Sequence, residues 1–136
     1  MTDTALLEKK LAFIETCLRE LRELAVIERL GSDIREQRFI YHTLQLALQS
    51  ALDVASHIVS ARRLGEPSTN RALFDLVASD GWVEPELLPA LHAMAGLRNI
   101  LVHGYQEVDN GIVSDVVSNH LGDLDRFVRG IRQRLR

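Results

Sequence analysis

Aromatic residues are scarce in this chain, at 5% of its 136 positions, although 46% of the positions are hydrophobic. The apolar weight therefore falls on Leu, Ala, Ile and Val, which suits packed helices better than a sheet sandwich. Prolines number three and glycines eight, and long stretches contain neither, so few turns are available. Cysteine occurs once, at Cys17, which excludes an internal disulfide and fits a reducing cytoplasm. No run approaches the ~18 uncharged apolar residues of a membrane span. The opening stretch MTDTALLEKK lacks the apolar core of a signal peptide. Excess positive charge is also missing: the formal net charge is −3, which argues against a general nucleic-acid coat protein.

What the chain does have is helical periodicity. Its length fits one domain over residues 1–136, large enough to bury ~68–70% of the unfolded surface. Thr4 is expected to cap a first helix with Leu7, Leu11, Ile14, Leu18, Leu21 and Ala25 as its buried line. Gly31, Ser32 and Asp33 are expected to stop that helix and cap the next. The second helix, from about Ile34 to Arg63, buries Ile40, Leu44, Ala47, Ala51, Val54 and Ile58. Small Ala47 and Ala51 call for a close neighbour, and Asp53 and His57 stand one turn apart, placed to hydrogen-bond. Leu64 to Ser68 is a connection, and Asn70 to Ser79 a short helix closed by Asp80-Gly81, with Trp82-Val83 at the corner. A last helix, from about Ile112 to Leu135, carries Val116, Leu121, Leu124, Phe127, Val128, Ile131 and Leu135. The expected architecture is all-α: an up-and-down helical bundle of four long helices plus one short helix.

Pro85 to Tyr105 forms the remaining long helix, with Pro85 near its first position. One line along it, Leu87, Leu91, Met94, Arg98, Leu101 and Tyr105, has core spacing with an arginine in its middle. A second line, Pro89, His92, Gly96, Asn99 and His103, is small or polar throughout. Arg98 on a core line is costly unless it is paired, snorkels to solvent, or waits for an anion; phosphate matches its planar fork best. His103 lies about 140° around an ideal helix from Arg98 and shares a face with Asn99. A histidine followed by Gly104 is ordinarily a helix end, and a tyrosine such as Tyr105 ordinarily plugs a bundle. Gly96 would let another backbone approach the polar line, which suggests a second copy of the helix in a two-fold homodimer.

Charge is unevenly spread. Between Arg71 and Arg126 stand nine Asp or Glu residues and a single Lys or Arg, Arg98. The sign then reverses with Arg126, Arg129, Arg132, Arg134 and Arg136. Macrodipole complementation and solubility are the ordinary reading of such a helix end, and an RNA-backbone patch is the alternative.

The string Arg98-Asn99-Ile100-Leu101-Val102-His103-Gly104-Tyr105 fits the pattern R-N-x-x-x-H-x-Y. It resembles the signature of the HepT-like branch of the HEPN superfamily, small helical toxins of prokaryotic toxin–antitoxin pairs. Leu46 to Val59, the Pro67 connection and Leu87 to Gly96 are similar to that family too, so the resemblance spans roughly residues 35 to 125. It implies a homodimeric, metal-independent endoribonuclease without a cofactor, acting on RNA at a dimer-interface site. His103 would be the general acid/base, Arg98 the phosphate-holding cation, and Asn99 a supporting residue that orients His103 or contacts the RNA backbone. It also implies a cognate minimal nucleotidyltransferase antitoxin as partner, able to transfer AMP to Tyr105. Nothing in the chain points to direct DNA binding or to a membrane.

Two other readings stay open. A HEPN-type module could bind a nucleotide, or serve as scaffold for a nucleotidyltransferase, without cutting RNA; the acids around Arg98 favour this, and the intact Arg98/His103 pair disfavours it. A purely structural dimerisation bundle explains the heptads but leaves the polar line without a purpose.

Overall fold

Helix α2 (Ile34–Ala61) is apolar round most of its circumference, and α1 (Thr4–Leu24), α3 (Asn70–Ser79) and α4 (Leu88–His103) all pack on it. The chain then continues through α5 (Asn110–Asp115), a π-helical turn (Val116–His120) and α6 (Leu121–Leu135). The computed structural model describes residues 3–136, with Tyr105 described by its backbone alone. Counting α5, the π turn and α6 as one run, the described residues give four long helices plus the short α3, the all-α bundle expected.

The predicted line of α2 is fully buried, and Tyr41, Leu48, Leu52, Ala55 and Val59 are buried beside it. The stripe is wider than one line because α2 has neighbours on several sides. In α1, Leu7, Leu11, Ile14, Leu18 and Leu21 are also buried, and Cys17 joins them. Burying a side chain of this size contributes about 1.5–3 kcal/mol against leaving it in water. The buried residues form one cluster.

Element boundaries differ from expectation where local hydrogen bonds decide them. The N-cap of α1 is Asp3 rather than Thr4, its carboxylate accepting from the Leu6 amide at 3.0 Å. The helix stops at Leu24, well before Gly31, because Ala25 turns extended; a 3-10 turn at Ile27–Arg29 follows. Glu36 holds that exit by accepting from the Val26 amide at 3.1 Å. Asp33 caps α2 as expected. Pro85 opens a 3-10 turn (Pro85–Leu87), and the α-helix proper starts at Leu88. A π turn joins α5 to α6; Val113 and Val117, an i, i+4 pair, are buried, while Val116, expected in the core, is half-buried.

The arginine-rich end is largely engaged in holding helices together. Arg132 makes a two-pronged contact with Glu15 at 2.7 and 2.8 Å and reaches Glu8 at 3.1 Å, which ties α6 to α1. Arg126 pairs with Glu84 at 3.0 Å, and Arg134 donates to the Asp80 carbonyl at 2.7 Å while lying 5.1 Å over the Trp82 ring. These contacts favour a structural role over an open RNA patch.

Candidate active site

The predicted lines of α4 map onto two faces. Leu87, Leu91, Met94 and Leu101 are buried, and Ala95 and Leu97 extend the buried side. Pro89, Gly96, Asn99 and His103 are exposed and His92 is half-exposed, its Nε2 lying 2.6 Å from Asp75 Oδ1. A Cβ placed on Gly96 would meet nothing within 4 Å, so that face is open in the single chain.

Arg98 is half-buried on the core line, and among the described residues it makes no ion pair. Its Nε donates to Gln49 Oε1 at 2.7 Å, and its Nη1 donates to Asn99 Oδ1 at 3.0 Å. The guanidinium is thus held by two neutral amide oxygens. A structural ion pair, one of the ordinary readings of a core-line arginine, is absent among the described residues. Asn99 also accepts from Asn70 Nδ2 at 3.1 Å, so its carbonyl is turned to Arg98 and α3 rather than to His103. Within the single chain Asn99 makes no hydrogen bond to His103.

His103 is the last residue of α4 and exposed, and it makes no hydrogen bond to a described residue. Gly104, at φ 124°, ends the helix in a region that L side chains rarely adopt, so Tyr105 falls in a 3-10 turn (Tyr105–Glu107) instead of extending α4. The side chain of Tyr105, the expected modification site, lies outside the described residues. Tyr41 is buried in α2, and its hydroxyl donates to Asn110 Oδ1, which anchors the far end of the segment that follows α4. Burial first, and the Asp109 carboxylate second, push the Tyr41 phenol up.

The expected Asp53–His57 bond does not form. Asp53 accepts from Gln49 Nε2 at 2.8 Å and meets Lys10 at 3.5 Å, while His57 Nε2 accepts from the Asp3 amide at 3.1 Å. Among the described residues no cluster of three His, Cys, Asp or Glu is placed to hold a metal ion.

An arginine and an exposed histidine five residues apart at one helix end suit anion holding and proton transfer. The family model of ribonuclease HepT-like proteins matches residues 14–131. The chain belongs to the ribonuclease HepT-like family. It is 33% identical over 124 residues to the mRNA nuclease HepT of Shewanella oneidensis, covering 90% of this chain and 93% of that protein. To the tRNA nuclease HepT of Aphanizomenon flos-aquae it is 33% identical over 104 residues, 76% of this chain and 71% of that one. The tri-AMPylated HEPN toxin of Shewanella oneidensis, solved in complex with an MNT antitoxin, superposes with a TM-score of 0.86 at 32% identity, covering 98% of this chain and 99% of that one. In this HepT-like chain, Gln49 and Asn70 are the site neighbours that periodicity missed. Both are polar side chains on other helices, and only the packing of α2 and α3 against α4 brings them to Arg98 and Asn99. The one visible signal was the i, i+4 spacing of Gln49 and Asp53.

Proposed function

We propose that this HepT-like protein is the toxin of a toxin–antitoxin pair and a metal-independent endoribonuclease, with Arg98 and His103 as its catalytic residues. The observation that carries the reading is Arg98 itself: a core-line arginine held by amides, uncompensated by any described carboxylate, beside an exposed His103. His103 takes the proton of the RNA 2′-hydroxyl as that oxygen attacks the adjacent phosphorus. The P–O5′ bond breaks, leaving a 2′,3′-cyclic phosphate and, after proton return, a 5′-hydroxyl. Arg98 holds the phosphate and stabilises its growing charge, and Asn99 supports Arg98 from the side. General acid/base help is worth ~10²–10⁴-fold and a charge-stabilising donor ~10²–10³-fold.

The open polar face of α4 is where a second copy docks in a two-fold homodimer, setting two Arg98/His103 pairs across one groove. An MNT-type antitoxin neutralises the enzyme by AMP transfer to Tyr105. Bulky anionic groups beside His103 would block a phosphate groove by sterics and repulsion.

His103→Ala and Arg98→Ala should each nearly silence RNA cleavage by protein purified without its antitoxin, with helicity unchanged by circular dichroism. Cleavage at the parental rate by either variant would refute the assignment, and loss of parental cleavage in excess chelator would refute metal independence. Sedimentation at working concentration tests the dimer, which a monomer would rule out. Incubation with the antitoxin and ATP should add AMP masses that disappear in Tyr105→Phe.

A further inference from the structure

Gln49, on α2, holds the Arg98 guanidinium by a hydrogen bond. Its amide sits between two unlike partners: Oε1 accepts from Arg98 Nε at 2.7 Å, and Nε2 donates to Asp53 Oδ1 at 2.8 Å. A guanidinium only donates and a carboxylate only accepts, so this amide has one workable orientation. Asp53 therefore fixes Gln49, Gln49 fixes Arg98, and Lys10 lies 3.5 Å from the outer oxygen of Asp53. The row joins α1, α2 and α4 behind the candidate site.

We propose that Gln49 is a positioning residue for cleavage, orienting the Arg98 guanidinium toward the RNA phosphate through a neutral contact that leaves its charge uncompensated. This rests on Arg98 as the phosphate-holding group. With Nε on Gln49 and one Nη1–H on Asn99, Nη2 bonds no described residue and its N–H groups are left for a phosphate oxygen. Neutrality matters because of where the phosphate must bind. Arg98 makes no ion pair with a described residue, and it stands in the last turns of α4, toward the negative end of the helix dipole. A carboxylate at position 49 would hold the guanidinium equally well but cancel the charge the phosphate needs. The amide keeps Asp53 one side chain away from Arg98.

The test uses the full chain, cellular RNA as substrate and Arg98→Ala as control. Gln49→Leu should lower kcat by about 10- to 100-fold with KM little changed, as expected for a misplaced catalytic group. It should also abolish the protected Arg98 Nε–H resonance in nitrogen-15 spectra. The pair Gln49→Glu with Asp53→Asn, in which an amide donor still faces the new carboxylate, should retain the melting temperature and that resonance, yet cleave at least ~10-fold more slowly. If Gln49→Leu does not fold, the Glu/Asn pair decides alone. Parental cleavage by either variant while Arg98→Ala is silent overturns the proposal, as does an unchanged Nε–H resonance in Gln49→Leu. Arg98→Ala cleaving at the parental rate defeats the cleavage reading itself and this proposal with it.

Discussion

A thiol in the middle of a helical core behaves unlike one at a surface. Burial first, and Glu20 second, push Cys17 up to about 11, where the nucleophilic thiolate is rare at neutral pH. Cys17 should therefore resist iodoacetamide in the folded protein near neutral pH and react once the chain is unfolded in urea, as read by mass spectrometry. Arg98 is specific in a different way. Its two amide contacts use the planar fork, a fixed geometry that a lysine ammonium, a compact point charge, cannot copy. Arg98→Lys should lower cleavage ~10-fold or more despite the retained charge, and near-parental rates would show that charge alone is needed. Both residues were legible in the sequence, Cys17 from its apolar neighbours and Arg98 from its place on a core line. What surrounds Arg98 was not legible, because Gln49 and Asn70 are distant in sequence and follow no periodic rule.

At the scale of elements, two glycines set where helices stop and how closely they meet. Gly104 carries φ 124° and ψ 149°, so Gly104→Ala should destabilise the end of α4 by about 1–3 kcal/mol. The same change should lower cleavage by displacing His103, its neighbour. Gly130 lies in α6 against the Trp82 corner, and a Cβ there would meet the Trp82 carbonyl oxygen at 2.9 Å. Backbone cannot yield as a side-chain tip can, so Gly130→Ala should cost about 1–3 kcal/mol, visible as a lower urea midpoint with unchanged slope. Helix existence was readable from spacing throughout. Ends were less so: α1 stops at Leu24 through the conformation of Ala25 and the reach of Glu36, which apolar spacing does not encode. The π turn at Val116–His120 is likewise unmarked by apolar spacing; Val117 within it and Leu124 after it are both buried.

Across the whole molecule, charged side chains hold the last helix to the rest. Arg132 joins α6 to two acids of α1, and Arg132→Ala should cost roughly 1 kcal/mol. Asp80 links Arg62 and Trp82, at 2.5 and 2.9 Å. The hydrogen bond from Arg62 first, and that from Trp82 second, hold its carboxyl below the usual 3.8. A carboxylate with a lowered folded-state value adds stability above its unfolded value, and that stability is lost as pH falls through the folded one. Thermal stability should accordingly fall on acidification below about pH 4, and Asp80→Asn should flatten that limb of the profile; an identical acid limb in the variant would remove Asp80 from the account. No described helix is long and apolar enough to cross a membrane.

The sequence by itself determined the helical class, the core lines of α1, α2 and α4, and the Arg98-to-Tyr105 string that resembles the HepT-like family. These follow from periodicity and residue type, which are local properties of the chain. The tertiary structure decided the partners. It placed Gln49 rather than a carboxylate on Arg98, turned Asn99 toward α3, drew Asp53 to Gln49 instead of His57, and left one face of α4 uncovered. Each depends on which helices cross and at what depth. A half-buried guanidinium takes whichever donor-matching oxygen the packing brings within about 3 Å, and no spacing along a single helix names it.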